Sequence, residues 1–355
     1  MILYVAIILG LFFLTAKYAW RKPHEDYLGL DAIQPVKGVF ILLVFVSHFV
    51  QYVHACGPYD QPYMRMKVLL GQMVVVPFLF YSGYGVVLSI LSKGAAYVRG
   101  IPVRRILKTL FLFDTAVLLF VIVRKLIGFT YGWPQIGLSF LGWASVGNSN
   151  WYIFVIMILY ALTFVSFFVF EKPGERGGAK PALISLTLLS ILLISILTWC
   201  RPNYVYNTII AYVAGGWYAA YREEAKRLLA NNRFRIVAFI ALTVAYFQCQ
   251  MNWRNSLFLY ELSAVIFALW IVLITTWARP RSRILAYCGR HLFSLYILQR
   301  MSMMLFARTP IAKHVYTFLI VSLAGTVLIS WVFDFLMNPA WRFIEGRLNT
   351  GRSGK

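Results

Sequence analysis

Long apolar runs separated by short polar segments follow one another along the whole chain. Eleven of them approach or exceed the roughly 20 residues that a helix needs to cross a bilayer, and they lie near residues 1–20, 35–55, 68–92, 106–127, 151–170, 181–200, 204–221, 235–250, 257–278, 284–306 and 314–337. A helix satisfies its backbone hydrogen bonds within one segment, and no alternating barrel pattern is visible. The pattern predicts an all-α, polytopic integral membrane protein with about eleven transmembrane helices.

The composition supports lipid as the solvent of this chain. Of its 355 residues, 61% are hydrophobic and 13% are charged, whereas soluble domains hold about half and about a quarter. Such an excess does not fit in one globular core. No secretory cleavage pattern follows the first apolar run, so we predict a membrane helix there, with a retained signal anchor as the alternative.

The charge is strongly positive, with 34 Lys and Arg against 12 Asp and Glu. In a soluble protein this balance of charges would indicate nucleic-acid binding. Here the basic residues fall mostly in short loops between apolar runs, so we expect a lipid bilayer and no nucleic acid as partner. One set of alternate loops, with the C-terminal tail, holds 22 basic residues. The opposite loops hold Arg65, Lys67, Arg124, Lys125, Arg201, Arg254, Arg308 and Lys313. The bias predicts that the N-terminus lies outside and the C-terminus in the cytoplasm, and we expect the plasma membrane as the location.

Two polar residues stand at the ends of the second apolar run, "QPVKGVFILLVFVSHFVQY". Lys37 and His48 are eleven residues apart, a spacing that returns to within about 20° of the same helix face about 16 Å further along the axis. The predicted topology places Lys37 at the cytoplasmic end and His48 towards the outer face. The alternatives are a snorkelling lysine and a histidine that bonds a neighbouring helix. An ionisable group inside a span is nevertheless a functional candidate.

The chemistry of the two side chains differs. A neutral imidazole can take a proton from a hydroxyl near neutral pH, whereas an ammonium group holds a phosphate as a point charge. The pair therefore indicates an anionic molecule bound at the inner end and proton abstraction deeper in the membrane.

Other polar groups within the spans need partners. Glu261, Asp114 or Asp334 could orient a histidine as the carboxylate of a hydrolytic triad does. We place Glu261 first, with His48 as its catalytic partner, because their predicted depths agree. Arg290 and His291 are candidate contacts to the anionic molecule that donates the transferred group, with a buried structural pair as the alternative.

No metal site is predicted. The four cysteines, Cys56, Cys200, Cys249 and Cys288, show no metal-ligand spacing, and no zinc signature, phosphate loop or nucleophile elbow is present. We interpret the cysteines as isolated thiols, with a disulfide as the alternative.

The basic residue, ten intervening residues and histidine in the first core helix resemble the signature of the acyltransferase-3 family of membrane O-acyltransferases, with Lys37 where that family usually has arginine. Three further stretches follow in the family's order: "FLFYSGYGVVLS" (78–89), "NWYIFVIMILYAL" (150–162) and "CGRHLFSLYILQ" (288–299). In the last of these, Leu292 and Gln299 replace the serine and histidine that are common in the family.

The resemblance implies transfer of an acyl group, in the first place acetyl, from cytoplasmic acyl-coenzyme A to a sugar hydroxyl of a cell-envelope or exported glycan. Acyl-coenzyme A is then a co-substrate, and no bound cofactor is expected. His48 would act as general base or carry the acyl group transiently. Lys37 and an RxxR-like element, Arg105 to Lys108 with Arg104 beside it, would hold the donor phosphates. Residues expected to line the cavity are Ser82, Tyr84, Asn150 and Trp151.

The domain organisation follows from this match. We predict an extra N-terminal transmembrane helix and linker (1–30), an acyltransferase-3-like membrane domain (31–340) and a basic cytoplasmic tail (341–355). One alternative function is a polysaccharide or lipid-linked sugar transporter or flippase, although no internal repeat typical of many transporters is visible. Another is a scaffold partner of a glycan synthase.

Overall fold

The computed structural model describes residues 1–53, 57–58, 60–170, 179–252 and 256–353, with side chains as far as residue 348. Most of the described residues are helical. The α-helices are α1 (Ile2–Phe13), α2 (Leu30–Phe49), α3 (Gln61–Leu70), α4 (Val76–Lys93), α5 (Ala95–Ile101), α6 (Lys108–Leu126), α7 (Trp133–Phe140), α8 (Trp151–Phe170), α9 (Ala179–Cys200), α10 (Ile210–Ala220), α11 (Arg222–Ala230), α12 (Asn232–Asn252), α13 (Leu257–Trp277), α14 (Arg283–Arg290), α15 (Leu292–Phe306) and α16 (Val315–Ser353). The predicted all-α fold class is confirmed.

Short irregular elements join these helices. In the part of the chain that the structure describes, 3-10 turns cover Gly71–Val75, Asn203–Val205 and Pro310–Lys313, and a π-helical segment covers Pro102–Leu107. Two two-residue strands, β1 (Lys17–Tyr18) and β2 (Ala278–Arg279), pair antiparallel.

Eight helical segments in the described part of the chain are long and apolar enough to cross a membrane. They are Leu30–Phe49, Gln61–Lys93, Ala95–Leu126, Trp151–Phe170, Ala179–Cys200, Asn232–Asn252, Leu257–Trp277 and Val315–Leu348. A polytopic membrane protein is thereby confirmed.

The other three predicted spans form shorter helices. The helix α1 has 12 residues and α10 has 11, and at 1.5 Å per residue each is shorter than the roughly 30 Å hydrocarbon core. The run near 284–306 is divided at His291 into α14 and α15. Hydropathy alone overestimated the lengths of these three helices, because an apolar run need not form one uninterrupted helix.

The chain forms two compact units. The first comprises Met1–Val44, Ala55–Arg99 and Leu162–Arg290, and the second comprises Phe45–His54, Gly100–Ala161 and His291–Lys355. Lys37 and His48 both lie on α2, with Lys37 in the first unit and His48 in the second.

Two pairs of helices in the first unit meet at glycine residues. A Cβ atom built on Gly38 of α2 would lie 1.9 Å from the carbonyl oxygen of Leu285, and one on Gly289 of α14 would lie 1.9 Å from that of Gln34. Backbones this close leave no room for a side chain, and small residues permit such packing between membrane helices.

The same reciprocal contact joins α4 and α10. A Cβ atom on Gly83 would lie 2.0 Å from the carbonyl oxygen of Tyr212, and one on Gly215 would lie 2.0 Å from that of Phe80. Each pair therefore fixes two helices in one register at the level of the main chain.

The N-terminal segment is tied into the first unit by polar contacts. The Arg279 guanidinium next to the β-pair contacts the Asp26 carboxylate at 2.9 Å. The fully buried Arg235 donates hydrogen bonds of 3.1 Å to the carbonyl oxygens of Trp20 and Arg21 and lies 5.2 Å from the ring centre of Trp277. These bonds satisfy part of the guanidinium away from water.

Buried hydroxyl groups join α15 and α16 in the second unit. Ser302 and Thr326 share a hydrogen bond of 2.6 Å, and Ser302 also donates to the carbonyl oxygen of Ser322 at 2.9 Å. Hydrogen bonds of this kind stabilise helix contacts in membranes, so these two helices hold their polar residues in defined positions.

Candidate active site

His48 lies half-buried in the last turn of α2, with polar groups at both ring nitrogens. Its Nδ1 is 2.9 Å from Nη2 of Arg300 on α15, and its Nε2 is 3.5 Å from Oγ of Ser149. All three residues belong to the second unit. The histidine is thus held between a guanidinium group and a hydroxyl group.

The arginine contact decides which tautomer fits this geometry. A guanidinium group only donates hydrogen bonds, so Nδ1 of His48 must offer its lone pair to Arg300. The neutral ring then carries its proton on Nε2, on the side of Ser149. In this arrangement His48 presents a donor, and it can accept a proton only after Arg300 releases Nδ1.

Arg300 is a functional candidate that the sequence reasoning did not select. Its Nη2 also donates to Oε1 of Gln51 at 2.6 Å, while its Nε is buried without a hydrogen-bond partner. The available signal was a charged residue within the apolar run near 284–306, since such residues tend to mark functional sites in membranes.

The loop before α8 places Ser149 beside the histidine. Asn150 donates from Nδ2 to the carbonyl oxygens of Gly142 and Ala144 at 2.7 and 3.0 Å. Gly142 and Gly147 have φ values of +71° and +100°, a region that favours glycine. Hydrogen bonds within the loop therefore fix its conformation, and the Asn150 amide donates two of them.

Aromatic residues follow the loop at the start of α8. The ring centres of Trp151 and Tyr152 are 6.0 Å apart, and those of Tyr152 and Tyr296 are 5.4 Å apart. The cavity-lining roles of Asn150 and Trp151 stay predictions.

A carboxylate–imidazole pair occurs elsewhere in the second unit. Nδ1 of His291 bonds Oδ2 of Asp334, and Oγ of Ser294 donates to the same oxygen at 2.9 Å. An ionised carboxylate accepts from Nδ1–H, which leaves the proton-accepting position of the neutral ring at Nε2. Of the three carboxylates considered from the sequence, Asp334 is thus seen to orient a histidine, and that histidine is His291.

Glu261 lies in the first unit with 6% of its surface exposed. Its Oε2 accepts a hydrogen bond of 3.1 Å from the backbone amide of Ile210, the first residue of α10. A carboxylate at this position satisfies an amide of the first helical turn and is favoured by the helix dipole. Its catalytic role stays a prediction.

The predicted donor-binding cluster spans the π-helical segment and the start of α6. The Nε of Arg104 is 3.3 Å from Oε1 of Glu345, and the guanidinium of Arg105 lies 5.9 Å from the ring centre of Tyr160. Lys108 is the first residue of α6. Such π-helical segments are frequent at functional sites, and here one carries the two arginines.

The remaining candidates belong to the first unit. Lys37 and Ser82 are partly exposed, whereas Tyr84 is buried, with its ring centre 6.2 Å from that of Tyr218. Arg290 is the exposed last residue of α14.

Metal and thiol sites add nothing to this arrangement. Across the described residues, no group of three or more His, Cys, Asp and Glu side chains could hold a metal ion. Cys200, Cys249 and Cys288 are free thiols, and Cys56 lies outside the described residues.

The Asp334 carboxylate gives a first test of the site. Asp334→Asn removes the charge that accepts from both His291 and Ser294, and hydrogen bonds to charged groups are worth about 1.5–3 kcal/mol. We expect it to lower the stability of the purified protein by more than Ser294→Ala, which removes one hydrogen bond to the same oxygen. Thermal unfolding in one detergent compares the two variants, and equal losses would contradict a charged Asp334.

The structure brings an imidazole, a guanidinium and a hydroxyl group together at the end of a membrane-spanning helix. These features define the class of multi-pass membrane proteins with a polar functional site. The model of the acyltransferase-3 family, described as an acyltransferase domain, matches residues 30–335. The chain therefore belongs to that family and is a membrane acyltransferase. No curated protein and no solved structure gives a significant match. Membership of this family favours an enzyme over a transporter or scaffold without acyl-transfer activity.

Proposed function

We propose that the protein transfers an acyl group, in the first place acetyl, from cytoplasmic acyl-coenzyme A to a hydroxyl of a cell-envelope or exported glycan. It does so in the plasma membrane, with the N-terminus outside and the C-terminus in the cytoplasm. The observation that carries the proposal is His48, held between Arg300 and Ser149 inside a chain of the acyltransferase-3 family.

The donor is held by basic side chains at the cytoplasmic face. Arg105 and Arg104 supply planar guanidinium groups that suit phosphate oxygens, and Lys37 and Lys108 supply point charges. Arg290 and His291 are further donor contacts in this proposal. The support for Arg104, Arg105 and Lys108 is the resemblance to the family's RxxR-like element and their position in or directly after the π-helical segment.

The reaction exchanges a thioester for an ester. The acceptor hydroxyl oxygen bonds to the acyl carbon, the carbon–sulfur bond breaks, and coenzyme A leaves as a thiolate. His48 takes the hydroxyl proton at Nδ1 after Arg300 has moved, and it then passes this proton to the thiolate, which returns the imidazole to its neutral form. A route through an acyl-histidine exchanges the same bonds in two steps.

The glycans of cells with and without the gene test the function directly. We expect mass spectrometry to show one or more acyl groups on a sugar only when the active gene is present. The added mass identifies the acyl group, and fragmentation identifies the acceptor. Identical glycans, together with failure of the purified protein to bind labelled acetyl-coenzyme A, would contradict the proposal.

Lys37 gives a prediction specific to the donor. Lys37→Ala removes a charge from the phosphate site, and an interaction of about 1.5–3 kcal/mol corresponds to a rise in the KM for acyl-coenzyme A of about tenfold or more. Lys37→Arg keeps the charge and should stay close to the parent. Initial rates over a range of acetyl-coenzyme A concentrations measure the effect.

The matched control is Lys93→Ala at the exposed end of α4, which the predicted topology places on the same side. An equal rise in KM for the Lys93 and Lys37 variants would assign both to general surface charge.

A further inference from the structure

Three arginines lie close to the candidate active site in the second unit, and we call Arg124, Arg300 and Arg308 the arginine cluster. The guanidinium carbon of Arg124 is 3.7 Å from the ring centre of Phe129, and that of Arg308 is 5.1 Å from the same ring. Cation–π contacts of this kind hold guanidinium groups without neutralising them. The two positive charges therefore lie on one aromatic side chain.

Arg124 is also connected to the loop that carries Ser149. Its Nε donates to the hydroxyl of Tyr131 at 2.7 Å, and its Nη1 is 3.5 Å from Sδ of Met304. A Cβ atom on Gly147, two residues before Ser149, would lie 3.3 Å from that sulfur and 3.5 Å from Nε of Arg124. Arg124 thus lies against the loop beside His48.

Tyr52 brings Arg300 and Arg124 into one electrostatic environment. Burial raises the pKa of the Tyr52 hydroxyl, and the guanidinium charges of Arg300 and Arg124 oppose that rise. Both charges must be near the hydroxyl to act on it, in agreement with the contacts of Arg124 to Met304 and the loop.

The stretches of chain that carry the cluster contain no acidic residue, and Asp114 and Asp334 lie just outside them. Residues 45–54, 117–161 and 295–333 contain Arg124, Lys125, Arg300, Arg308 and Lys313 and no Asp or Glu. Four of these five basic residues are also among the few in the loops predicted to face outside, where the positive-inside rule gives no reason for them. Clustered positive charge without carboxylates attracts anions.

Arg300 places this charge at the reacting group. Its Nη2 is 2.9 Å from Nδ1 of His48, and its Nε is buried without a partner. Guanidinium groups bind carboxylates and phosphates through paired hydrogen bonds. An anion bound here would satisfy Nε and would offer Arg300 an acceptor other than the nitrogen that His48 needs for taking a proton.

We propose that the glycan acceptor is anionic and that Arg300 and Arg124 bind a carboxylate or phosphate on the sugar that is acylated, beside His48. The proposal rests on the proposed function, since it names the substrate class of the same site. A sugar hydroxyl next to the bound anion would lie close to the imidazole. Acidic sugars are then preferred over neutral sugars of the same shape.

The test compares two soluble acceptors that share the same ring, methyl glucuronide, which has a carboxylate at C6, and methyl glucoside, which has a neutral hydroxymethyl group there. Full-length protein in phosphatidylcholine nanodiscs receives labelled acetyl-coenzyme A with either sugar. We expect kcat/KM for the glucuronide to exceed that for the glucoside by about tenfold or more, as for one charge-assisted contact. Arg300→Gln and Arg124→Gln should remove most of this preference, and Arg300→Lys should keep part of it.

Arg65→Gln is the matched control, because Arg65 is an exposed arginine of α3 that the sequence also predicts to face outside. It should leave the preference unchanged. A second readout, independent of turnover, is the rise in thermal stability on adding each sugar. Stabilisation by the glucuronide alone, lost in Arg300→Gln, supports the proposal even where acylation of these small probes is slow.

The remaining outcomes overturn it. Equal acylation of both sugars, or equal stabilisation by both, refutes the anionic acceptor while leaving the acyltransferase function intact. If phosphatidylglycerol in the nanodiscs stabilises the parent but not the arginine variants and neither sugar is preferred, the cluster binds lipid phosphate. Loss of acetyl-coenzyme A binding as well would refute the proposed function itself.

Discussion

Replacing His48 by alanine is expected to abolish acyl transfer while leaving the amount of protein in the membrane unchanged. Positioned acid–base catalysis contributes about 10²–10⁴-fold to a rate, and the variant loses both the lone pair at Nδ1 and the donor at Nε2. The measurement is transfer of labelled acetyl from acetyl-coenzyme A, normalised to the protein that elutes as a single species in detergent.

Two further variants make this result specific. His314→Ala removes an exposed histidine just before α16 in the same unit and should retain activity. His48→Gln keeps an amide that can accept from Arg300 and donate to a neighbour, but an amide takes no proton near neutral pH. If the glutamine variant is as active as the parent, proton abstraction by His48 is excluded and hydrogen-bond donation is sufficient.

Substitution of two neighbouring glycines of α4 is expected to change stability in opposite directions. In Gly83→Ala the new methyl group would lie 2.0 Å from the carbonyl oxygen of Tyr212, whereas at Gly85 nothing lies within 4 Å of it. Overpacking typically costs about 1–3 kcal/mol and can cost more. Where the added methyl group meets no neighbouring atom, Gly→Ala stabilises the protein by about 0.4–1 kcal/mol, because alanine restricts the unfolded chain. Thermal unfolding of both variants in one detergent gives the comparison.

The pair Gly83→Ala and Gly85→Ala isolates the backbone contact, since both changes add one methyl group to the same helix. Loss of folded protein for Gly83→Ala alone is the expected result. If the two variants unfold at the same temperature, α4 and α10 can separate at little cost and the close contact does not hold them.

The sequence predicted the helical membrane fold and the helix that carries Lys37 and His48, because hydropathy depends on composition within one segment. It did not predict the contacts of His48. Arg300 is 252 residues away along the chain, and no local pattern reports such a pair. The predicted depth along the spans favoured Glu261 as the partner of a histidine. In the structure, Asp334 forms a hydrogen bond with His291, which lies 43 residues away along the chain. Depth leaves the direction of each side chain around its helix undetermined.

The glycine contact between α2 and α14 has a consequence for genetics. At Gly38 and at Gly289 the atoms that a new side chain would meet belong to the main chain of Leu285 and Gln34. Trimming a neighbouring side chain creates no space there. Selection for restored growth or activity after Gly38→Ala should therefore recover true revertants, and intragenic suppressors at Leu285 should be absent.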